Sequence, residues 1–248
     1  MPLSKTLIIG TRGSALAMAQ AESVRVQVAA LLPGIEVRLE SFKTTGDRLS
    51  ASQLPEGPPE LPPQGIFTKE LDEALLAGKI HAAVHSLKDV PTTLPPGLHH
   101  AAFLKREDPR DALVSKSGKD FFSLEAGSRV GTSSPRREAQ IRTARPDLRV
   151  LPLRGNVDTR LRKLKEGEFD AIVLASAGLK RLGLEKDITE RFKPSILLPS
   201  PAQGVLCLTV RENDGDSWEA LRPLEDPETR TCAEAERNFL KVLQGGCQ

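Results

Sequence analysis

Tyrosine is absent from these 248 residues, tryptophan occurs once, and eight phenylalanines bring the aromatics to only 4%. So few flat side chains leave little with which to stack the bases of single-stranded nucleic acid. Cysteine is scarce as well. Cys207, Cys232 and Cys247 form neither a disulfide framework nor a metal-binding spacing, which fits a reducing, cytoplasmic setting. No stretch approaches a membrane span in length and apolarity. Met1 to Thr6 run straight into Leu7-Ile8-Ile9, which leaves no room for a signal peptide. The net charge of +2 does not call for a nucleic-acid partner.

What is present reads as a soluble chain long enough for more than one domain. Nineteen glycines and nineteen prolines suggest turns and hinges rather than a helical bundle. Leu7–Ile9 predicts a strand. Ser14 caps a helix with Leu16, Ala19, Val24, Val28 and Leu31 on one side, and Ile35–Leu39 predicts a second strand. This βαβ order is the grammar of a largely parallel sheet. Residues 44–64 are polar and proline-rich and read as a lid. A helix from Thr68 to Gly78 leads into the strand Ile80–Val84. Further strands are expected at Ala112–Val114, Arg129–Val130, Arg149–Leu153, Phe169–Ala175 and Val205–Val210, and a last helix from Thr231. Around Ser200–Gly204 the chain is expected to cross back to the first domain's sheet, a double connection that favours hinge motion. The chain then stops soon after one helix, which suggests truncation or a further C-terminal remainder.

The chemistry centres on the strand end at Val84-His85-Ser86-Leu87-Lys88-Asp89-Val90-Pro91. A carboxylate beside a lysine at a strand end is a place where an α/β protein can hold a catalytic group over a rigid sheet. Between Arg129 and Lys163 arginines are dense and acids few. That run is either a solvated face or a surface for a polyanion, because the guanidinium fork suits carboxylates and phosphates. In Thr132-Ser133-Ser134-Pro135-Arg136-Arg137, hydroxyls, helix N-terminal amides and two arginines are expected to converge on one anion. Cys247, after two glycines, is open to a covalent role, but no local histidine supports a cysteine-protease scheme. Cys207 and Cys232 read as structural. His81 and His85, four apart in a strand, lack an acid at metal spacing, so no metal is expected; His99 and His100 read as surface residues. Gly10-Thr11-Arg12-Gly13-Ser14 matches neither a phosphate-binding loop nor a dinucleotide fingerprint.

Taken together, several motifs in order along the chain resemble the porphobilinogen deaminase (hydroxymethylbilane synthase) family. They are Gly10-Thr11-Arg12 with Ser14, Phe67 with Lys69-Glu70-Leu71, Val84 to Pro91, and Glu107-Asp108-Pro109-Arg110-Asp111-Ala112. Gly131 to Ser134 with Arg136-Arg137, Arg154-Gly155-Asn156 with Thr159-Arg160, Ala177 to Leu182, and Gly245-Gly246-Cys247 complete the set. Two departures stand out. Pro63-Gln64-Gly65 replaces the family's usual Gly-Lys-Gly, and Ala202-Gln203-Gly204 replaces Gly-Gln-Gly.

The resemblance implies a transferase that joins four porphobilinogen molecules head to tail with loss of ammonia. It builds on a dipyrromethane primer held through a cysteine thioether, then releases hydroxymethylbilane with water. It implies Asp89 as the catalytic residue and Cys247 as the attachment site. It assigns cofactor and substrate carboxylates to Arg12, Ser14, Lys88, Thr132, Ser133, Ser134, Arg136, Arg137, Arg154, Gly155, Asn156, Arg160, Arg181 and Gln203. The implied fold is α/β: two hinged βαβ-type domains of periplasmic-binding-protein-like topology plus the start of an α+β third domain. The expected boundaries are 1–98 with 200–217, then 103–196, and 218–248 for the incomplete domain carrying the cysteine. A cytoplasmic monomer with a small-molecule substrate and neither nucleic acid nor membrane as partner is expected. The residues by themselves also permit a non-enzymatic hinged binder of small carboxylates, to which Cys247 would be useless.

Overall fold

The computed structural model describes residues 6–45, 65 and 67–243. Most of the expected lid (46–64) and the expected attachment site Cys247 lie outside the described residues. The chain divides into two compact units, one running to Glu107 and resuming at Val205, the other Asp108–Gly204.

In the first unit, β1 (Thr6–Arg12), β2 (Glu36–Phe42), β3 (Ala82–Ser86), β4 (Leu98–Phe103) and β10 (Leu206–Arg211) form a sheet in the order β2-β1-β3-β10-β4. β1 runs parallel to β2 and β3, and β10 is antiparallel to β3 and β4. Helix α1 (Ala15–Leu31) joins β1 to β2 and helix α2 (Lys69–Leu76) precedes β3. The buried face of α1 runs through Ala17, Ala21, Val24 and Val28, whereas Leu31 is exposed, so the expected face through Leu16, Ala19 and Leu31 is rotated. Small alanines let the helix axis approach the sheet closely, a gain that a count of large apolar residues does not register.

The second unit repeats this plan. Strands β5 (Asp111–Ser115), β6 (Arg129–Gly131), β7 (Arg149–Leu151), β8 (Ala171–Ala175) and β9 (Glu190–Arg191) lie in the order β7-β6-β8-β5-β9. Helices α3 (Pro135–Ala144) and α4 (Val157–Lys165) follow β6 and β7, and α5 (Ser176–Arg181) follows β8. In both units a Gly-Thr stands at the end of the second strand of the order, Gly10-Thr11 just before the last residue of β1 and Gly131 as the last residue of β6 before Thr132, and the glycine is there for close packing. A Cβ on Gly10 would sit 2.4 Å from Ile80 Cδ1, and one on Gly131 would sit 2.8 Å from Phe169 Cδ1. Both distances are below any real carbon contact.

Two further helices belong to the first unit. Helix α6 (Gly215–Leu221) begins after Asp214, whose carboxylate accepts from Ser217 N. Helix α7 (Pro227–Val242) begins four residues earlier than expected, because Asp226 accepts from Thr229 N and Pro227 occupies the first helical position. It packs on β4, where Arg106 pairs with Glu236 through both carboxylate oxygens and donates its backbone N–H to Thr229 Oγ1.

Candidate active site

Side chains that act on a ligand in open α/β sheets gather at the carboxyl ends of the parallel strands. In the first unit, β1 and β3 run parallel and deliver Arg12 and the Lys88–Asp89 pair to the same sheet edge. After β3 the chain makes a single 3-10 turn, Leu87–Asp89. Leu87 and Val90 are buried at 0% and 1% exposure, while Lys88 and Asp89 between them are half-buried. Burial of each apolar neighbour contributes on the order of 1.5–3 kcal/mol, enough to fix the turn while its charged residues face outward. The Asp89 carboxylate makes no hydrogen bond to another described residue. The Arg12 guanidinium stacks 4.2 Å over the Phe67 ring. Ser14 accepts from Ala17 N at 3.3 Å, so its hydroxyl oxygen caps α1. Gln20 Nε2 donates to Ser86 Oγ at 3.0 Å and ties α1 to the end of β3.

In the second unit the same edge carries the ends of β6, β7 and β8. Thr132, Ser133 and Ser134 follow β6; Thr132 is buried, and its Oγ1 accepts from Ser134 N at 3.2 Å. The sequence placed both following arginines on an external anion. The structure gives them an internal one. Asp111, fully buried, opens β5 directly opposite Ala175 at the end of β8, because these strands are antiparallel. Arg137 reaches Asp111 Oδ1 at 2.6 Å and Val173 O at 3.0 Å, and is itself buried. Arg136 reaches Asp111 Oδ2 at 2.8 Å and also the Leu198 carbonyl. Gln203 donates to Pro109 O at 2.7 Å and to Asp111 Oδ1 at 3.0 Å. Burial raises the proton affinity of Asp111, but Arg137 and Arg136 outweigh it and hold the carboxyl below its usual range. Burial also lowers the Arg136 pKa, and Asp111 offsets that in part. The sequence reading missed this organising role of Asp111. A charged residue opening the apolar run Ala112-Leu113-Val114 was the available signal.

Arg154, Gly155 and Asn156 form the turn between β7 and α4. Gly155 adopts φ +109°, and Arg160 Nε donates to its carbonyl at 2.7 Å, so this arginine braces the turn. Arg154 is exposed and has no hydrogen bond or ion pair within the described residues. Arg181, at the end of α5, donates to Gly204 O at 2.6 Å. Ala202 is buried at φ +58°, where an L side chain is strained.

His81 Nδ1 accepts from Ile8 N at 2.9 Å, and His85 is buried with its pKa pushed down to about 4 by that burial. His99 and His100, expected at the surface, are both half-buried on β4. The His100 ring meets Thr209 Oγ1 at 3.2 Å and Phe103 edge-on. Burial, with Arg237 nearby, pushes the His100 pKa down to about 3. The apolar strand surroundings of Cys207 push its thiol up to about 12, so it is inert. Cys232, expected to be structural, is exposed on the second turn of α7. No helix among the described residues is long and apolar enough to cross a membrane.

Two sheets of one topology define an α/β fold of the periplasmic-binding-protein-like class. The methionine-binding protein MetQ shares this fold, with a TM-score of 0.53 over 94% of this chain and 96% of its own, at 16% identity. Residues 7–219 match the family described as "Porphobilinogen deaminase, dipyromethane cofactor binding domain". The porphobilinogen deaminase of Syntrophobacter fumaroxidans is 48% identical over 98% of this chain and 78% of its own length. That of Roseiflexus castenholzii is 48% identical over 99% of this chain and 80% of its own. The chain belongs to the porphobilinogen deaminase family.

Proposed function

We infer that the chain is a transferase of tetrapyrrole biosynthesis that condenses four porphobilinogen molecules head to tail with loss of ammonia. It does so on a dipyrromethane primer and then releases hydroxymethylbilane by hydrolysis. The observation that carries this reading is identity near one half to porphobilinogen deaminases over nearly the whole chain, and the Lys88–Asp89 pair in the turn after β3 is consistent with it.

The residues suit a polycarboxylate chain of pyrroles. Each pyrrole unit carries two carboxylates, and Arg154 is an exposed cation with no ion pair within the described residues. Arg12, Lys88, Arg136, Arg154, Arg160 and Arg181 are proposed to bind acetate and propionate groups. Ser14, Thr132, Ser133, Ser134, Gly155, Asn156 and Gln203 supply hydrogen bonds to them or shape the turns that do. Arg137 is assigned to holding Asp111 and, through it, the direction of Arg136. When bound, the dipyrromethane would supply the free pyrrole carbon to which the first unit is joined, each later unit joining the one before it. A thioether to Cys247 is proposed as its attachment. Asp89 accepts the pyrrole N–H of the incoming porphobilinogen and stabilises the positive charge that develops as its ammonia departs. A carboxylate not neutralised by a neighbouring base is suited to that role. The protein is proposed to act as a cytoplasmic monomer.

Asp89→Ala is the direct test. The variant is expected to keep its primer, read by the colour of an aldehyde reagent, while steady-state formation of hydroxymethylbilane falls at least about 100-fold. Normal turnover by that variant would overturn the assignment of Asp89.

A further inference from the structure

The turn that carries Asp89 has a structural weakness. A 3-10 turn has poor hydrogen-bond geometry and leaves its last carbonyls without helical partners. Here Val90 N reaches Leu87 O at a long 3.2 Å, and Pro91 has no N–H with which to extend the turn. The missing donors come from far along the chain. Arg237, on the third turn of α7, sends its guanidinium to this main chain. Nη1 donates to Leu87 O at 3.2 Å and Val90 O at 2.9 Å, and Nη2 donates to Pro91 O at 2.6 Å. These carbonyls lie on both sides of Asp89. A planar fork with several fixed donors suits such a set, and hydrogen bonds from a charged donor are roughly twice as strong as neutral ones.

We propose that Arg237 is a positioning residue for the condensation, a clamp that sets the Asp89 turn without touching substrate. The proposal rests on the role given to Asp89 above. The preceding residue, Glu236, fixes the register of the clamp, since that carboxylate holds Arg106 beside β4 at 2.5 and 3.0 Å.

A displacement of about 1 Å at a reacting group costs on the order of 100-fold in rate. Arg237→Met in the full chain is therefore expected to lower kcat by about 10- to 100-fold. KM should stay within about twofold, because the carboxylate-binding arginines are untouched. Arg237→Lys, which keeps the charge but loses the fork, should recover only part of the rate. Arg230→Met is the control. Arg230 lies on the same helix and pairs with Glu225 and Glu234, without reaching the turn. It should leave kcat unchanged at a similar shift in Tm. Amide hydrogen exchange gives a readout independent of activity: residues 86–92 should exchange at least about tenfold faster in Arg237→Met than in wild type. Unchanged exchange in that segment, kcat within twofold of wild type, or an equal loss in Arg230→Met would each overturn the clamp. Faster exchange in a chain whose wild type fails to consume porphobilinogen would uphold the clamp and overturn the proposed function instead.

Discussion

Asp111 offers the sharpest test of how the second unit is held. Its carboxylate is 0% exposed and neutralises Arg137, whose side chain is 8% exposed, together with Arg136 at 24%. Removing one partner of a buried pair leaves the other charge without compensation, at a cost of about 3–5 kcal/mol. Asp111→Ala should therefore remove a large part of a total stability of about 5–15 kcal/mol. Asp111→Asn keeps an acceptor for Gln203 but not the charge, and should fall between. Asp111→Leu combined with Arg137→Met should be less damaging than Asp111→Ala alone, since only the more exposed Arg136 is then left without its anion. Urea denaturation followed by circular dichroism measures all three. Because its folded-state pKa is lowered, Asp111 stabilises above its unfolded pKa, and this contribution is lost as pH falls through the lower folded value. Asp111→Asn should flatten that acid limb below about pH 4. A loss under about 1 kcal/mol in Asp111→Ala would refute the reasoning, because it would mean that water solvates Arg137 without cost.

Two other outcomes follow from the same geometry. His85 and His100 are held neutral with pKa values of about 4 and about 3, so stability is fully present above pH 6.5 and falls as pH drops toward those values. The loss by pH 4 is on the order of 3 kcal/mol from each, opposed by Asp72, whose burial raises its pKa to about 6; His100→Gln should reduce the slope of the urea midpoint against pH, and an identical slope would contradict the assignment. At Ala202, φ +58° costs an alanine about 1–2 kcal/mol, against which glycine loses a buried methyl and gains unfolded-state entropy. Ala202→Gly should stay within about 1 kcal/mol of wild type, while a branched side chain in Ala202→Val should cost more than about 2 kcal/mol, both read by thermal denaturation.

The βαβ order and two strands, expected at Ile80–Val84 and Phe169–Ala175 and found at Ala82–Ser86 and Ala171–Ala175, were legible because a buried strand is a short apolar run with turn residues on either side. The strand-end position of Asp89 followed from the same pattern. What sequence could not supply was long-range pairing. Asp111 meets Arg136 and Arg137 only because β5 runs antiparallel to β8, and Arg237 meets Leu87 across some 150 positions of chain. Local signals also misled. Two arginines at a helix start read as an external anion site, and nothing local in the sequence showed that both also share the internal carboxylate of Asp111. The left-handed backbone at Ala202 was visible only through the resemblance, whose usual glycine at that position is the residue that adopts such a φ freely, and not through the alanine itself.

In the proposed function the chain builds its product covalently on Cys247, with Asp89 assisting each addition. Intact mass spectrometry after brief exposure to porphobilinogen tests it most directly. The wild-type chain should show a primer adduct and a ladder of heavier species, each larger by one porphobilinogen less one ammonia, and Cys247→Ser should show neither. A wild-type mass unchanged from that of the bare polypeptide, or the same ladder in Cys247→Ser, would contradict the account.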